Sequence, residues 1–329
     1  MHVPLWVWLA TAAGIVALLA LSFFTHIRDT HEPSLKEAGA WTAFFVSLSI
    51  LFGLGLTAVW GRDRGIEFFA GYITEYSLSI DNLFVFVIIM SSFAVPRALQ
   101  QKVLLIGIVI ALVLRTIFIL LGAAAIAHFS WVFYIFGLFL ILTAAKLAFE
   151  EHEEDEHYQP NILVRGAQRI LPFTHAYDGA NMTTVIDGKR YFTPMMMVML
   201  AIGMTDILFA LDSIPAIFGL TNVPYIVFTA NAFALLGLIE LYFLIGGLLK
   251  RLVYLSLGLA LVLGFIGIKL VLHAMHENSL PFINGGEPVH WAPDIPTWLS
   301  LAIIVTILTA TTIASLLKSR GDSTGASTR

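Results

Sequence analysis

The sequence predicts an all-α, polytopic helical membrane protein of about nine transmembrane helices, containing an inverted repeat of two three-helix units. Three observations carry this. The 329-residue chain is 58% hydrophobic and 12% charged, about half the charged share of an ordinary soluble domain. Its apolar stretches repeatedly exceed the ~18 residues that mark a spanning helix. And "EYSLSIDN" (75–82) overlays "DILFALDS" (206–213), acid on acid at both ends of the same spacing.

The spans fall at about 3–24, 40–60, 66–94, 102–127, 129–149, 195–220, 224–247, 252–274 and 297–317. The first, "MHVPLWVWLATAAGIVALLALSFF", lacks a basic leader and a clear small-residue cleavage site, so it reads as a retained helix. The organisation is two N-terminal helices (1–60), a first three-helix unit (61–149), a polar loop (150–194), a second unit (195–275), an extracytoplasmic loop (276–296), and a last helix with a polar tail (297–329). The long loop carries "FEEHEEDEHY" (149–158), which reads as a solvated acidic run or a capture site for divalent cations, and a short helix around "ILVRGAQRIL".

Loop cations set the orientation. With the N-terminus outside, thirteen Lys and Arg fall on the inner side, against Arg62 and Arg64 on the outer. The expected placement is therefore the inner (plasma) membrane, multi-pass, with the C-terminus and the 150–194 loop cytoplasmic.

The repeat extends past the acids. "RTIFILLG" (115–122) lies over "IELYFLIG" (239–246), and "LFLILTAAKL" (138–147) over "LVLGFIGIKL" (261–270), placing Lys146 over Lys269. Three spans is an odd number, so the second unit enters the membrane upside down, a plan whose ion sites lie near the midplane between the units.

Four intramembrane acids, Glu75, Asp81, Asp206 and Asp212, each cost at least about 2.5–3.5 kcal/mol on insertion scales, so they need a compensating use. Span 3 runs inward and span 6 outward, which predicts Glu75 level with Asp212 and Asp81 level with Asp206. Pro215 removes the helical bond to the Leu211 carbonyl, so span 6 is expected to break beside Asp212. The other donors at hand are Asn82, the hydroxyls of Ser77, Ser79, Thr205 and Ser213, and backbone carbonyls. Such oxygens suit Mg²⁺, Ca²⁺ or Mn²⁺; Met90 and Met204 offer soft sulfur but are usually filler. The same carboxylates suit proton exchange, because burial raises and a bound cation lowers a carboxyl pKa. Arg115, Glu240, Lys146 and Lys269 are the charge-balancing candidates, with Arg115 against one of the acids and Glu240 against Arg115 or Lys269. Asn231 reads as interhelical glue.

The segments "EYSLSIDNLFVF", "TDILFALDSIPAIF", "VFTANAFALLGL" and "GLALVLGFIGIKLVL" resemble the TerC/Alx family of integral membrane proteins over about residues 40–320. The resemblance implies manganese efflux, with some members linked to tellurite resistance or to the alkaline pH response, and a place among small-solute exporters built from paired three-helix units. By motif match it implies Glu75, Asp81, Asn82, Asp206, Asp212 and Ser213 as cation ligands. One departure is Ile239, where many relatives carry Arg; Glu240 follows it.

The leading expectation is a divalent cation exporter for Mn²⁺, with Ca²⁺ and Mg²⁺ as alternatives and protons as a coupling partner. The rival is a membrane-assembly factor, since chloroplast relatives are associated with thylakoid protein insertion. The chain carries no cysteine, which excludes thiolate metal sites and dithiol redox chemistry. No Gly-x-Ser-x-Gly elbow, His-Glu-x-x-His or phosphate loop suggests an enzyme. No dense Lys/Arg run suggests nucleic-acid binding, and no organic cofactor is expected.

Overall fold

A chain this apolar folds by satisfying its backbone within helices, because lipid offers no hydrogen bonds. The computed structural model describes residues 3–26, 34–129, 131–149, 172–174, 176–245, 254–278, 280–281, 283–289 and 291–325. Their elements in order are α1 (Leu5–His26), α2 (Leu35–Trp60), α3 (Arg62–Ser92), α4 (Arg97–His128), α5 (Val132–Phe149), β1 (Thr183–Ile186), β2 (Lys189–Phe192), α6 (Pro194–Phe218), α7 (Pro224–Leu236), α8 (Leu238–Ile245), α9 (Leu255–His276) and α10 (Thr297–Gly325). Nine helical segments among the described residues are long and apolar enough to cross a membrane, α7 and α8 together forming one of them. The acidic run 150–158 and the expected helix at 162–171 lie outside the described residues.

Local chemistry explains where the helices start and stop. Ser34 caps α2 by accepting from the Glu37 N–H. Gly61, at φ +94°, turns the chain between α2 and α3 where an L side chain would be strained. Pro194 and Pro224 open α6 and α7 at positions that need no N–H.

The hairpin β1–β2 is a departure from the all-helical expectation. Thr183 pairs with Phe192 and Ile186 with Lys189 around an Asp187–Gly188 turn, both at positive φ. "TTVI-DG-KRYF" carries that signal, because Asp-Gly flanked by β-formers is the preferred primed turn. The Tyr177 hydroxyl, just before the hairpin, donates to the Phe93 carbonyl at 2.8 Å, pinning this segment to the end of α3.

α7 is the centre of the bundle: the span it forms with α8 is 94% buried, against 11% for α1 and 17% for α10. α3 packs on α7, α4 on α6, and α5 on α9. α1 packs across α7, where Trp8 meets Tyr225 edge-on at 5.0 Å and the Thr11 and Tyr225 hydroxyls lie 2.7 Å apart. The outer faces carry large apolar side chains such as Leu9, Leu54, Val113, Leu121 and Leu142, as a lipid-facing surface requires.

α5 and α9 touch backbone to backbone. A Cβ on Gly137 would lie 2.8 Å from the Gly267 carbonyl, and one on Gly267 2.9 Å from the Gly137 carbonyl. Small residues permit this approach, and dispersion rather than hydrophobic exclusion holds such pairs in lipid. Gly267→Ala is expected to lower stability by about 1–3 kcal/mol through overpacking. Gly55→Ala, with nothing within 4 Å of its added methyl, is expected to be near neutral. Thermal melts of the two purified variants in one detergent decide this; equal melting temperatures would refute the close packing.

Candidate functional site

Arg115 sits in α4 among isoleucine, leucine and valine and has 0% of its surface exposed. A guanidinium cannot lose its charge at ordinary pH, so burial demands anions. It forms an ion pair with Glu75 of α3. Its other terminal nitrogen donates to Asp206 Oδ1 of α6 at 3.2 Å, and Nη1 donates to the Ser213 hydroxyl at 3.3 Å. Three helices are thus joined through one side chain. Arg115 balances two acids where the sequence suggested one.

The expected pairing of depths is corrected by this contact. Two carboxylates on one guanidinium share a level, so Glu75 is level with Asp206, not with Asp212. The helix ends supply the reason. α3 begins where α6 finishes, because the Thr221 hydroxyl just past α6 donates to Glu67 near the start of α3 at 2.6 Å. Glu75 lies thirteen residues into α3 and Asp206 twelve before the end of α6, about 20 and 18 Å along their helices. Asp81 and Asp212, six residues further along each chain, then lie about 9 Å to opposite sides of the centre.

Asp212 faces α5. The Thr143 hydroxyl donates to its Oδ1 at 3.1 Å, and Lys146, one turn further along α5, is its cationic neighbour. Lys146 therefore balances an acid as expected. Thr143 was not anticipated, although a hydroxyl three residues before Lys146 shares its helical face. Lys269, its repeat counterpart, is not near the four acids. It is 9% exposed and lines a cavity of about 470 Å³ at the shared end of α3, α6 and α9, with Asp294 and Glu67 as electrostatic neighbours. Glu67 there also holds Arg64 at 2.7 Å.

Other expectations divide. α6 runs unbroken through Pro215 to Phe218, so the predicted break beside Asp212 is absent. The proline falls in the last turn, where the helix is ending and one missing bond costs little. The Ser77 and Thr205 hydroxyls donate to the Ile73 and Ala201 carbonyls of their own helices. Ser79 is buried with its hydroxyl unpartnered, and Asn82 is buried beside it on α3. The reading of Asn231 as interhelical glue finds no contact: among the described residues neither end of its amide has a partner. Glu240, 2% exposed, reaches neither Arg115 nor Lys269, and no other described residue hydrogen-bonds its oxygens. Met90 is core filler that receives the Tyr242 hydroxyl at 3.5 Å.

Among the described residues no three carboxylates or imidazoles meet at a point that could hold a metal. Arg115 stands where Glu75 and Asp206 would otherwise share a cation. The centre still has spare valences: Arg115 Nε, Asp206 Oδ2 and the Thr74 and Ser79 hydroxyls are buried without hydrogen-bond partners. Buried unsatisfied groups in such number are unusual.

Fold and site together define a multi-pass integral membrane protein with a charged centre at bilayer depth. The chain belongs to the integral membrane protein TerC family, whose model matches residues 60–323. Membrane protein Rv2723 of Mycobacterium tuberculosis, described as uncharacterized, is 49% identical over 326 residues, which is 98% of this chain and 82% of that protein. Membrane protein STKORF319 of Myxococcus xanthus, also described as uncharacterized, is 41% identical over 313 residues, 95% and 92% of the two chains. An Escherichia coli K12 relative provisionally named membrane-bound redox modulator Alx is 38% identical over 274 residues, 80% and 85%. No solved structure matches the chain.

Removing the cation from this centre leaves two buried carboxylates side by side. Arg115→Met is expected to destabilise by about 3–5 kcal/mol. The triple variant Arg115→Met, Glu75→Gln, Asp206→Asn is expected to recover much of that loss, because the neutral amides no longer repel. Unfolding curves in mixed micelles measure both, and a triple variant as unstable as the single one would refute the ion-pair account.

Proposed function

We propose that this chain is a cation transporter that exports a divalent metal ion, Mn²⁺, from the cytoplasm by alternating access between two inverted three-helix units. The observation that carries the reading is Arg115, fully buried between Glu75 of α3 and Asp206 of α6. A tethered cation between two repeat-related acids marks the position of a transported cation and holds that position while no ion is bound.

Asp212 and Asp81 continue the acidic series on either side of this centre. An ion entering past one of them meets carboxylate oxygens about every 9 Å along its path. For Glu75 and Asp206 to bind the ion, Arg115 has to swing away, so metal binding and helix movement become one event. Asn82 and Ser213 supply neutral oxygens beside the acids. All these donors are hard, which suits Mn²⁺, Mg²⁺ or Ca²⁺ better than Cu⁺ or Zn²⁺. Within that group Mn²⁺ is chosen by the family resemblance.

The two-unit plan has independent support from packing. Exchanging α3 with α6 and α4 with α7 turns the α3–α7 contact into the α6–α4 contact, and α5 with α9 maps onto itself. Any two-fold-related pair of units requires these interchanges; the odd number of spans per unit is what makes the proposed pair inverted. The cation bias of the loops supports an orientation with the N-terminus outside and the C-terminus cytoplasmic. A scaffold role also uses a three-helix cross-link at Arg115, and the rival reading rests on that fact. The E. coli relative's name includes redox modulation; here, with no cysteine in the chain, an effect on redox state would be indirect, through the metal.

Uptake of Mn²⁺ into everted or reconstituted vesicles tests the proposal, with Mg²⁺, Ca²⁺ and Zn²⁺ as competitors. Asp81→Asn and Asp212→Asn are expected to cut initial Mn²⁺ uptake at least about tenfold, an effect of about 1.4 kcal/mol or more, without loss of folded protein. Wild-type rates in both variants would favour the scaffold.

A further inference from the structure

Glu240 is a carboxylic acid for which the polar centre has no use. It lies in the first turn of α8, three residues past Gly237, where the seventh span is interrupted between Leu236 and Leu238. It is 2% exposed, and among the described residues neither oxygen has a hydrogen-bond partner beyond the residue's own backbone amide. Among the described residues no cation pairs with it. On α4, Arg115 is held by Glu75 and Asp206. Arg97, also on α4, is an electrostatic neighbour of Tyr242, half a turn beyond Glu240 on α8. On α3, Tyr76 is an electrostatic neighbour of Glu240 and lies 5.7 Å, ring to ring, from Tyr72; the same helix carries Glu75, held by Arg115, and Asp81. α2 contributes no ionisable group between Glu37 and Trp60, and α7 contributes only Tyr225.

An ionised carboxylate in these surroundings would be dehydrated and unpaired, at a cost of several kcal/mol. A metal cation does not solve the problem, because Na⁺ or a divalent ion needs several oxygens and the described neighbours supply none within hydrogen-bonding distance. One proton does solve it. The interruption at Gly237 matters too: discontinuous spans place ion sites at half-helix ends in transporters with inverted units. The first unit has an unbroken helix at the matching level, with Arg115 over Ile239 in the repeat alignment. The second unit has a break and an acid.

We propose that Glu240 is the proton-binding site that couples the transporter to the pH gradient, separate from the metal path at Arg115. It binds one proton on a carboxylate oxygen in the conformation described here. It returns that proton to water in the opposite conformation, when opening at Gly237 hydrates it. Tyr76, next to Glu75 in sequence, places the change of charge one residue from the centre. This inference rests on the transport reading and adds the residue that carries the coupling proton.

The test uses full-length protein in proteoliposomes loaded for Mn²⁺ counterflow and, separately, for Mn²⁺ accumulation driven by an imposed pH gradient. Glu240→Gln mimics the protonated acid in size and charge, and Glu240→Asp keeps a titratable group. The expected result is that Glu240→Gln retains counterflow and loses gradient-driven accumulation, with Glu240→Asp restoring part of it. Infrared difference spectra supply a readout independent of transport: a protonated carboxylic acid band present in wild type is expected to vanish in Glu240→Gln. Gradient-driven accumulation intact in Glu240→Gln, or an unchanged acid band, would overturn this inference alone. Wild-type vesicles inert to Mn²⁺ would overturn the transport reading together with it.

Discussion

The structure depends on one electrostatic constraint. A permanently charged guanidinium is placed where water is absent, and it can exist there only while anions face it. Glu75 and Asp206 are those anions, and they come from helices separated by more than a hundred residues of chain. The contact fixes the relative level of α3, α4 and α6 more tightly than apolar packing in lipid could, because neighbouring lipid competes with leucine for leucine but not for an arginine. Asp81 and Asp212 fall on opposite sides of the centre as a consequence of where it fixes their helices.

Stability and function draw on the same groups. A centre designed for stability alone would leave no buried polar atom without a partner. Here Asp206 Oδ2, Arg115 Nε, Thr74, Ser79 and Asn231 all lack one. Their cost is one that the proposed alternation between two arrangements would offset, if different atoms are satisfied in each. The close glycine contact of α5 and α9 has the opposite character, rigid and fully packed, and provides a frame against which other helices can shift.

Spans were the most legible part of the sequence, because lipid solvation imposes a length and polarity rule that acts locally. Boundaries at α6 and α7 moved little for the same reason. Identity of the acids was legible too, since a charge inside an apolar run is conspicuous. Their mutual placement was not. Reading Glu75 as level with Asp212 assumed that matching motifs begin at matching depths. The true ends of α3 and α6 put the first acid of each motif near the middle. Pro215 was misjudged because a proline's effect depends on whether the helix was about to end, which sequence spacing alone does not report. Lys146 and Lys269 match in the alignment yet face different partners, since Glu67 and Asp294 come from outside the repeat pattern. The Asp187–Gly188 hairpin carries a local signal of its own, an Asp-Gly turn between β-formers, that helical periodicity does not register.

The interruption at Gly237 has a mechanical meaning. α4 is a single rod of 32 residues, while its counterpart is two shorter rods meeting at a joint. When load is shared between a stiff beam and a jointed one, strain collects at the joint. The two units are therefore unequal in build despite their common plan, and the jointed span is also the one that lies at the middle of the bundle.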